Sequence, residues 1–282
     1  MMAEEVAAKA RDIKVFGFDL DGTFLRDDKT VSPRTKEAVR AMLAAGIQPV
    51  PTTGRTWQFL PEPELGMSGF NYLVAGCGAY VRDLRTGEFL QRKPIAAAQA
   101  AALVRALQKP GVAVYVCLDD EAGTRMGTSV SEAEFERVAA WRAQRNGFDG
   151  TDVPEKIEAS GCDVVKVGIH YMEGYEDADF TGLPESAGLT VLPSWTGNLE
   201  WNAGGVSKAA GLAIVAERLG CTLENVCAIG DSGNDADMLR AAGLGICMGN
   251  GFAEAREAAD FTLTLTNEQD GLADFVEHYL LG

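Results

Sequence analysis

The 282-residue sequence has no C-x-x-C pair, no long basic block and no apolar run of membrane length. Each absence excludes something. A membrane helix needs roughly 18–20 consecutive apolar residues, so no span is expected. With no basic block and a formal net charge of −16, nucleic acid and anionic membranes are poor partners. The six cysteines (Cys77, Cys117, Cys162, Cys221, Cys227 and Cys247) lie mostly in apolar runs, and the expectation is reduced, buried thiols. The opening Met-Met-Ala-Glu-Glu-Val-Ala-Ala-Lys lacks the apolar core, about 7–15 residues long, of a signal peptide. Together these features point to a cytoplasmic protein. What remains is a globular composition, 46% hydrophobic and 23% charged. At ~150 residues per domain, the length suits two domains.

Residues 13–18, Ile-Lys-Val-Phe-Gly-Phe, form a short apolar run ending in Asp19, which predicts a buried strand with functional groups at its C-terminal end. Residues 24–31 read as a hairpin or flap. Ser32-Pro33 then opens a helix, with Ser as N-cap and Pro in the first turn. Ile47–Val50 and Asn71–Ala75 are further strands, leading into Thr52-Thr53-Gly54-Arg55 and Gly76-Cys77-Gly78. Such alternation implies a doubly wound parallel sheet. After residue 83 the texture changes. A strand over 88–95, a helix over 96–109, a strand over 112–119, a helix over 132–146 and strands over 163–171 and 189–192 suggest an inserted α+β domain. From about residue 198 the first texture returns, with helices over 206–219 and 235–242 and strands over 226–229, 244–248 and 261–265. The expected division is therefore a core of 1–83 and 198–282 with 84–197 inserted.

Phe18-Asp19-Leu20-Asp21-Gly22-Thr23 puts two carboxylates just past a buried strand, and Gly230-Asp231-Ser232-Gly233-Asn234-Asp235 puts two more past another. Two strand ends of one parallel sheet can meet, so up to four carboxylates can converge. Like charges ~4 Å apart repel by about 4 kcal/mol at an effective dielectric near 20. A hard divalent cation relieves that repulsion, and an all-oxygen set without nearby His or Cys favours Mg²⁺ over Zn²⁺. Magnesium commonly shares its ligands with a phosphate. Thr53 and Gly54 offer a hydroxyl and backbone N–H groups at a strand end, a phosphate cradle. Lys208, near the start of a helix, can neutralise a phosphate oxygen.

These pieces in order, Asp19-Leu20-Asp21-Gly22-Thr23, Thr53-Gly54-Arg55, Lys208 and Gly230-Asp231-Ser232-Gly233-Asn234-Asp235, resemble the four motifs of the haloacid dehalogenase superfamily of phosphatases. Within it the chain is most similar to the Cof-type sugar phosphatases, through Gly205-Val206-Ser207-Lys208, Met248-Gly249-Asn250 and Asp270-Gly271. D-x-D-G-T followed by G-D-x-x-N-D arises by chance on the order of once in 100,000 chains of this length, given ordinary residue usage. Scattered surface acids therefore do not account for the pattern. The likeness covers most of residues 13–83 and 198–279. It implies a Rossmann-like α/β core with an inserted α/β cap that sets substrate specificity.

For the site, the resemblance implies Asp19 as nucleophile, forming an aspartyl-phosphate. It implies Mg²⁺ bound by Asp19, the backbone carbonyl of Asp21 and Asp231, with Asp235 behind them. Asp21, kept partly protonated by its acidic neighbours, serves as general acid and then base. Thr53, Gly54, Lys208 and Asn234 hold the phosphoryl oxygens. Arg55 is either a substrate contact or a structural ion pair. The substrate is a small phosphorylated metabolite, a sugar phosphate first, with His170, Tyr171, Trp195 and Glu200 as candidate lining of the cap. One departure stands out: such relatives usually carry Asn-Gly-Ala where this chain has Cys77-Gly78-Ala79. A phosphomutase using the same chemistry and a non-catalytic phosphometabolite-binding protein are the alternatives. The oligomeric state is not legible.

Overall fold

The computed structural model describes every residue except 1–2, 61–68, 140–148, 172–179, 181 and 194–196. In chain order the first elements are α1 (Ala3–Ala10), β1 (Val15–Phe18), α2 (Pro33–Ala44), β2 (Gln48–Pro51), β3 (Tyr72–Ala75), β4 (Tyr80–Asp83) and β5 (Phe89–Arg92). There follow α3 (Ala97–Leu107), β6 (Val112–Leu118), β7 (Arg125–Thr128), α4 (Glu132–Ala139), α5 (Val153–Ser160), β8 (Val164–Tyr171), β9 (Thr190–Pro193) and β10 (Asn198–Asn202). The chain closes with α6 (Lys208–Arg218), β11 (Val226–Gly230), α7 (Ala236–Ala241), β12 (Leu244–Cys247), α8 (Ala253–Ala258), β13 (Phe261–Thr262) and α9 (Gly271–Phe275). Two compact units result, Met1–Arg92 with Ser207–Gly282, and Lys93–Val206.

The first unit is built on a five-stranded parallel sheet, ordered β13-β12-β11-β1-β2. β1 lies between β11 and β2, Val15 facing Val226 on one side and Gln48 on the other. All four residues of β1 are buried, as a parallel strand covered on both faces requires. Phe16, Phe18, Phe24, Phe70 and Phe275 pack in one core cluster, while Val15, Val50, Val74, Leu212 and Val215 form another. Gly17 lets α6 lie directly on β1, because a Cβ there would fall 2.7 Å from Leu212. α2 begins as its sequence predicts: the Ser32 hydroxyl accepts the Thr35 N–H at 3.0 Å, and Pro33 occupies the first turn.

Two expectations change. Residues 71–75 do not join the parallel ladder. β3 pairs antiparallel with β4, and β4 with β5; beside β2 it makes a parallel bridge between Thr52 and Val74, with the Thr53 N–H donating to the Val74 carbonyl at 2.8 Å. The cause is the turn after Ala75, where Gly76, Cys77 and Gly78 have φ of 58°, 54° and 101° and reverse the chain at once. β5 follows into the same small sheet, so the first unit runs to Arg92 rather than ending at residue 83. At the other junction β10 pairs with β8 and β9, so the second unit runs to Val206 rather than to residue 197.

The second unit carries an antiparallel five-stranded sheet, ordered β7-β6-β8-β10-β9. Helices α3 and α4 pack against β6 and β8. The helix expected over 132–146 is α4 as far as Ala139; the rest of that stretch lies outside the described residues.

Candidate active site

Because β11, β1 and β2 run parallel side by side, their C-terminal ends share one edge of the sheet. The ladder continues past the strands: Asp19 N–H donates to the Ile229 carbonyl at 3.0 Å, and Thr52 N–H to that of Phe18 at 2.8 Å. This places Asp19, Thr53 and Asp231 at successive strand ends. Lys208 arrives from α6, whose N-cap Ser207 accepts the Ala210 N–H. The turn after β3 fixes that helix end closely, since a Cβ on Gly78 would sit 2.2 Å from the Ser207 carbonyl oxygen.

Lys208 is fully buried between two carboxylates, donating to Asp19 Oδ1 at 2.7 Å and to Asp235 Oδ1 at 2.5 Å. Asp235 Oδ2 accepts the backbone N–H groups of Asp231 at 3.0 Å and Ser232 at 2.9 Å. It also accepts the Ser232 hydroxyl at 3.1 Å. Thr23 donates its hydroxyl to Asp231 Oδ1 at 2.8 Å. Gly22 makes room for that carboxylate; its φ is 78°, and a Cβ there would meet Asp231 Oδ2 at 2.4 Å. Asn250 donates to the Gly22 carbonyl at 2.7 Å and accepts the Asn267 N–H at 3.1 Å, tying the first loop to the last. Thr23, Ser232 and Asn250 are supports that motif spacing alone did not assign.

One oxygen from each of Asp19, Asp231 and Asp235 lies within 4.8 Å of the others, all three buried. Burial pushes the Asp19 carboxyl up, and Asp235 and Asp21 add to this against the pull of Lys208. Asp231 is raised by burial and then by Asp235 and Asp19. For Lys208 burial works against the charge, but Asp19 and Asp235 outweigh it and hold the ammonium charged. One cation among three carboxylates leaves negative charge uncompensated. The all-oxygen donor set therefore fits a hard divalent ion. Asp19 and Asp231 are the better placed to hold it, because both Asp235 oxygens already accept protein hydrogen bonds.

Asp21 departs from expectation. Its carboxylate meets Arg55, Nε to Oδ2 and an η nitrogen to Oδ1 both at 2.6 Å, and Lys29 Nζ at 2.8 Å. Burial alone would raise Asp21, but the bonds and charges of Arg55 and Lys29 dominate and hold it well below the usual carboxylate range. Acidic neighbours do not keep it protonated. Arg55, left open between substrate contact and ion pair, is here Asp21's bidentate partner, and its side chain also donates to the Phe59 carbonyl at 3.2 Å. Lys29, in the flap at φ 68°, was not foreseen.

Thr53 closes the edge: its hydroxyl accepts the Arg55 N–H at 3.1 Å, and its carbonyl accepts the Cys77 N–H at 3.0 Å. Cys77 is buried with a left-handed backbone, a conformation Asn adopts more readily than most residues. What the turn needs at this position is that backbone conformation. Asn234 is buried in the 3₁₀ turn before α7, accepting the Ser232 hydroxyl at 3.0 Å. Trp195 lies outside the described residues.

A buried carboxylate cluster with one lysine thus sits at the C-terminal edge of a parallel sheet, where open α/β enzymes bind their ligands. The family model of haloacid dehalogenase-like hydrolases matches residues 16–276. The 5-amino-6-(5-phospho-D-ribitylamino)uracil phosphatase YcsE of Bacillus subtilis is 30% identical over 96% of this chain and 97% of its own. The pyridoxal phosphate phosphatase YbhA of Escherichia coli is 26% identical over 95% and 99%. Among solved structures, the phosphatase BT1666 of Bacteroides thetaiotaomicron superposes with a TM-score of 0.78 at 26% identity, covering 95% of each chain. The chain belongs to the haloacid dehalogenase-like hydrolases, as a phosphatase of the Cof type. No helix among the described residues is long and apolar enough to cross a membrane.

Proposed function

We propose that the protein hydrolyses a small phosphorylated metabolite through an aspartyl-phosphate on Asp19. The observation that carries this reading is the buried Lys208 ammonium held at 2.7 Å from Asp19 Oδ1, beside the carboxylates of Asp231 and Asp235. Lys208 fixes the Asp19 carboxylate and favours its anionic form against the burial that raises its pKa. An Asp19 oxygen attacks phosphorus, and the bond to the leaving alcohol oxygen breaks. Asp21, freed of Arg55 and Lys29 and protonated from solvent beforehand, supplies the proton that oxygen takes up. Water then attacks the acyl phosphate, Asp21 accepts its proton, and the bond from phosphorus to Asp19 breaks, restoring the carboxylate and releasing phosphate.

Asp19, Asp231 and the Asp21 carbonyl would hold Mg²⁺, chosen for the oxygen-only donors; bound, it supplies charge neutralisation between anionic nucleophile and anionic ester. Thr53, Gly54, Lys208 and Asn234 are assigned to the phosphoryl oxygens. Asp235 orients Lys208 and the 231–232 backbone. With Arg55 and Lys29 bound, Asp21 is set for the base half of the cycle, and its acid half requires those bonds to exchange. The second unit is assigned the choice of substrate, and a cytoplasmic setting follows from phosphorylated metabolites as substrates.

The test is phosphate release from a panel of sugar phosphates, a phosphorylated ribityl compound and pyridoxal phosphate, with Mg²⁺ and with chelator, for wild type and Asp19→Asn. Mg²⁺-dependent release that disappears in the variant supports the reading, and the kcat/KM ranking names the substrate class. Release no greater than the variant's on every member would overturn it.

A further inference from the structure

We propose that Asp237 is a positioning residue for the reaction: from the first turn of α7 it holds the start of α6, and through it the Lys208 ammonium beside Asp19. This rests on the phosphatase reading, because the part given to Asp237 is exerted through Lys208.

α7 begins directly after Asp235, so Asp235 and Asp237 leave one short segment two positions apart. Both carboxylates go to α6. Asp235 Oδ1 accepts Lys208 Nζ at 2.5 Å. Asp237 Oδ2 accepts the backbone N–H of Ala209, the next residue, at 3.2 Å. One segment therefore grips the lysine at two points, its ammonium through Asp235 and its stretch of backbone through Asp237.

The backbone grip matters because of what a lysine is. The first N–H groups of a helix have no partner inside it and must be met from outside. In α6 the Ser207 hydroxyl meets that of Ala210, and Asp237 meets that of Ala209. The negative charge of Asp237 also faces the positive end of this 11-residue helix. A lysine ammonium rides on a flexible four-carbon stem. Its Nζ stays 2.7 Å from Asp19 Oδ1 only while the Cα that carries the stem is fixed. A displacement of about 1 Å at a reacting group can cost on the order of 10²-fold in rate.

A purely stabilising role fits Asp237 poorly. Its bond to Ala209 is the one hydrogen bond its side chain makes among the described residues. Its other oxygen, Oδ1, is buried without a partner. A buried acceptor left unmet costs stability, and a native chain that carries such a cost calls for a reason other than the fold. Holding the helix that presents Lys208 is that reason.

The experiment places Asp237→Ala and Asp237→Asn in the full-length protein, each with Lys208 and in a Lys208→Met background. Asp237→Ala should lower kcat about tenfold on the best substrate of the panel, with KM and Tm little changed. Asp237→Asn keeps an acceptor oxygen and should recover most of that loss. In the Lys208→Met background the same Asp237→Ala change should alter kcat by less than about twofold, since the lysine it acts through is gone. A second readout is the Lys208 ¹³Cε NMR signal, assigned by its loss in Lys208→Met. It should move in Asp237→Ala and stay near the wild-type position in Asp237→Asn. That signal needs no turnover, so it tests the positioning even if no panel member is hydrolysed and the phosphatase reading fails. Equal kcat losses in both backgrounds, or a Lys208 signal that Asp237→Ala leaves in place, would overturn the proposal. Loss of folding in both Asp237 variants would do the same by assigning the residue to stability.

Discussion

At the scale of single residues, the decisive feature is a lysine spent on holding carboxylates. Lys208 has no exposed surface and bridges Asp19 and Asp235. Lys208→Met leaves both acids buried without that cation. Breaking a buried pair this way costs roughly 3–5 kcal/mol. Losing a preorganised charge at the reacting group costs about 10²–10³ in kcat. Steady-state kinetics and urea unfolding should show both, and a kcat within tenfold of wild type would remove Lys208 from the chemistry. Asp83 offers a test away from the site. Its buried carboxylate is held by Arg85, at 2.7 Å between Oδ2 and an η nitrogen, and the Arg85 bonds outweigh burial to lower its pKa below 3.8. A depressed pKa stabilises the fold above the unfolded-state value and ceases to do so as pH falls through the folded-state value. Asp83→Asn should therefore be less stable than wild type at pH 7 and at pH 5. The gap should close below pH ~3.8, as urea midpoints across that range would reveal. A gap independent of pH would mean that the hydrogen bonds, not the charge, carry the effect.

At the scale of elements, what the sequence made legible and what it hid divide by physical cause. β1, α2 and β11 were readable because an apolar run or a Ser-Pro start acts locally. Asp19, Lys208 and Asp231 were legible as candidates because motif spacing places them at strand and helix ends. β3 and β5 were legible as strands but not in their pairing, since that depends on a turn whose left-handed residues at 76–78 leave little mark beyond Gly-Cys-Gly. The Asp21 pairing was hidden for another reason: Lys29 and Arg55 are 8 and 34 positions away from it, and only the fold brings them together. The same turn yields an element-level prediction. Gly78→Ala adds a Cβ at φ 101°, 2.2 Å from the Ser207 carbonyl, and must push back the start of α6. Backbone strain of about 1–3 kcal/mol is expected. Because Lys208 follows Ser207, kcat should fall along with stability. An unchanged kcat in a folded Gly78→Ala protein would show that Lys208 keeps its place despite the shift.

At the scale of the whole molecule, a chain of net charge −16 must admit an anionic ester. The compensation is local. Lys208, Lys29 and Arg55 all contact carboxylates in the structure, so on the proposed reading a divalent cation held by the carboxylate cluster would supply the remaining charge that an incoming phosphate needs. Beyond the site the field is repulsive. The Debye length shrinks from about 30 Å at 0.01 M salt to about 8 Å at 0.15 M, so added salt removes long-range repulsion while leaving short contacts in place. With Mg²⁺ saturating at every point, kcat/KM for a dianionic sugar phosphate should rise severalfold over that range of KCl while kcat stays nearly constant. Steady-state kinetics at fixed free Mg²⁺ distinguishes the outcomes. A fall in kcat/KM with salt would mean that the cations at the sheet edge set the field felt by the substrate. The acidity of the remaining surface would then serve solubility alone.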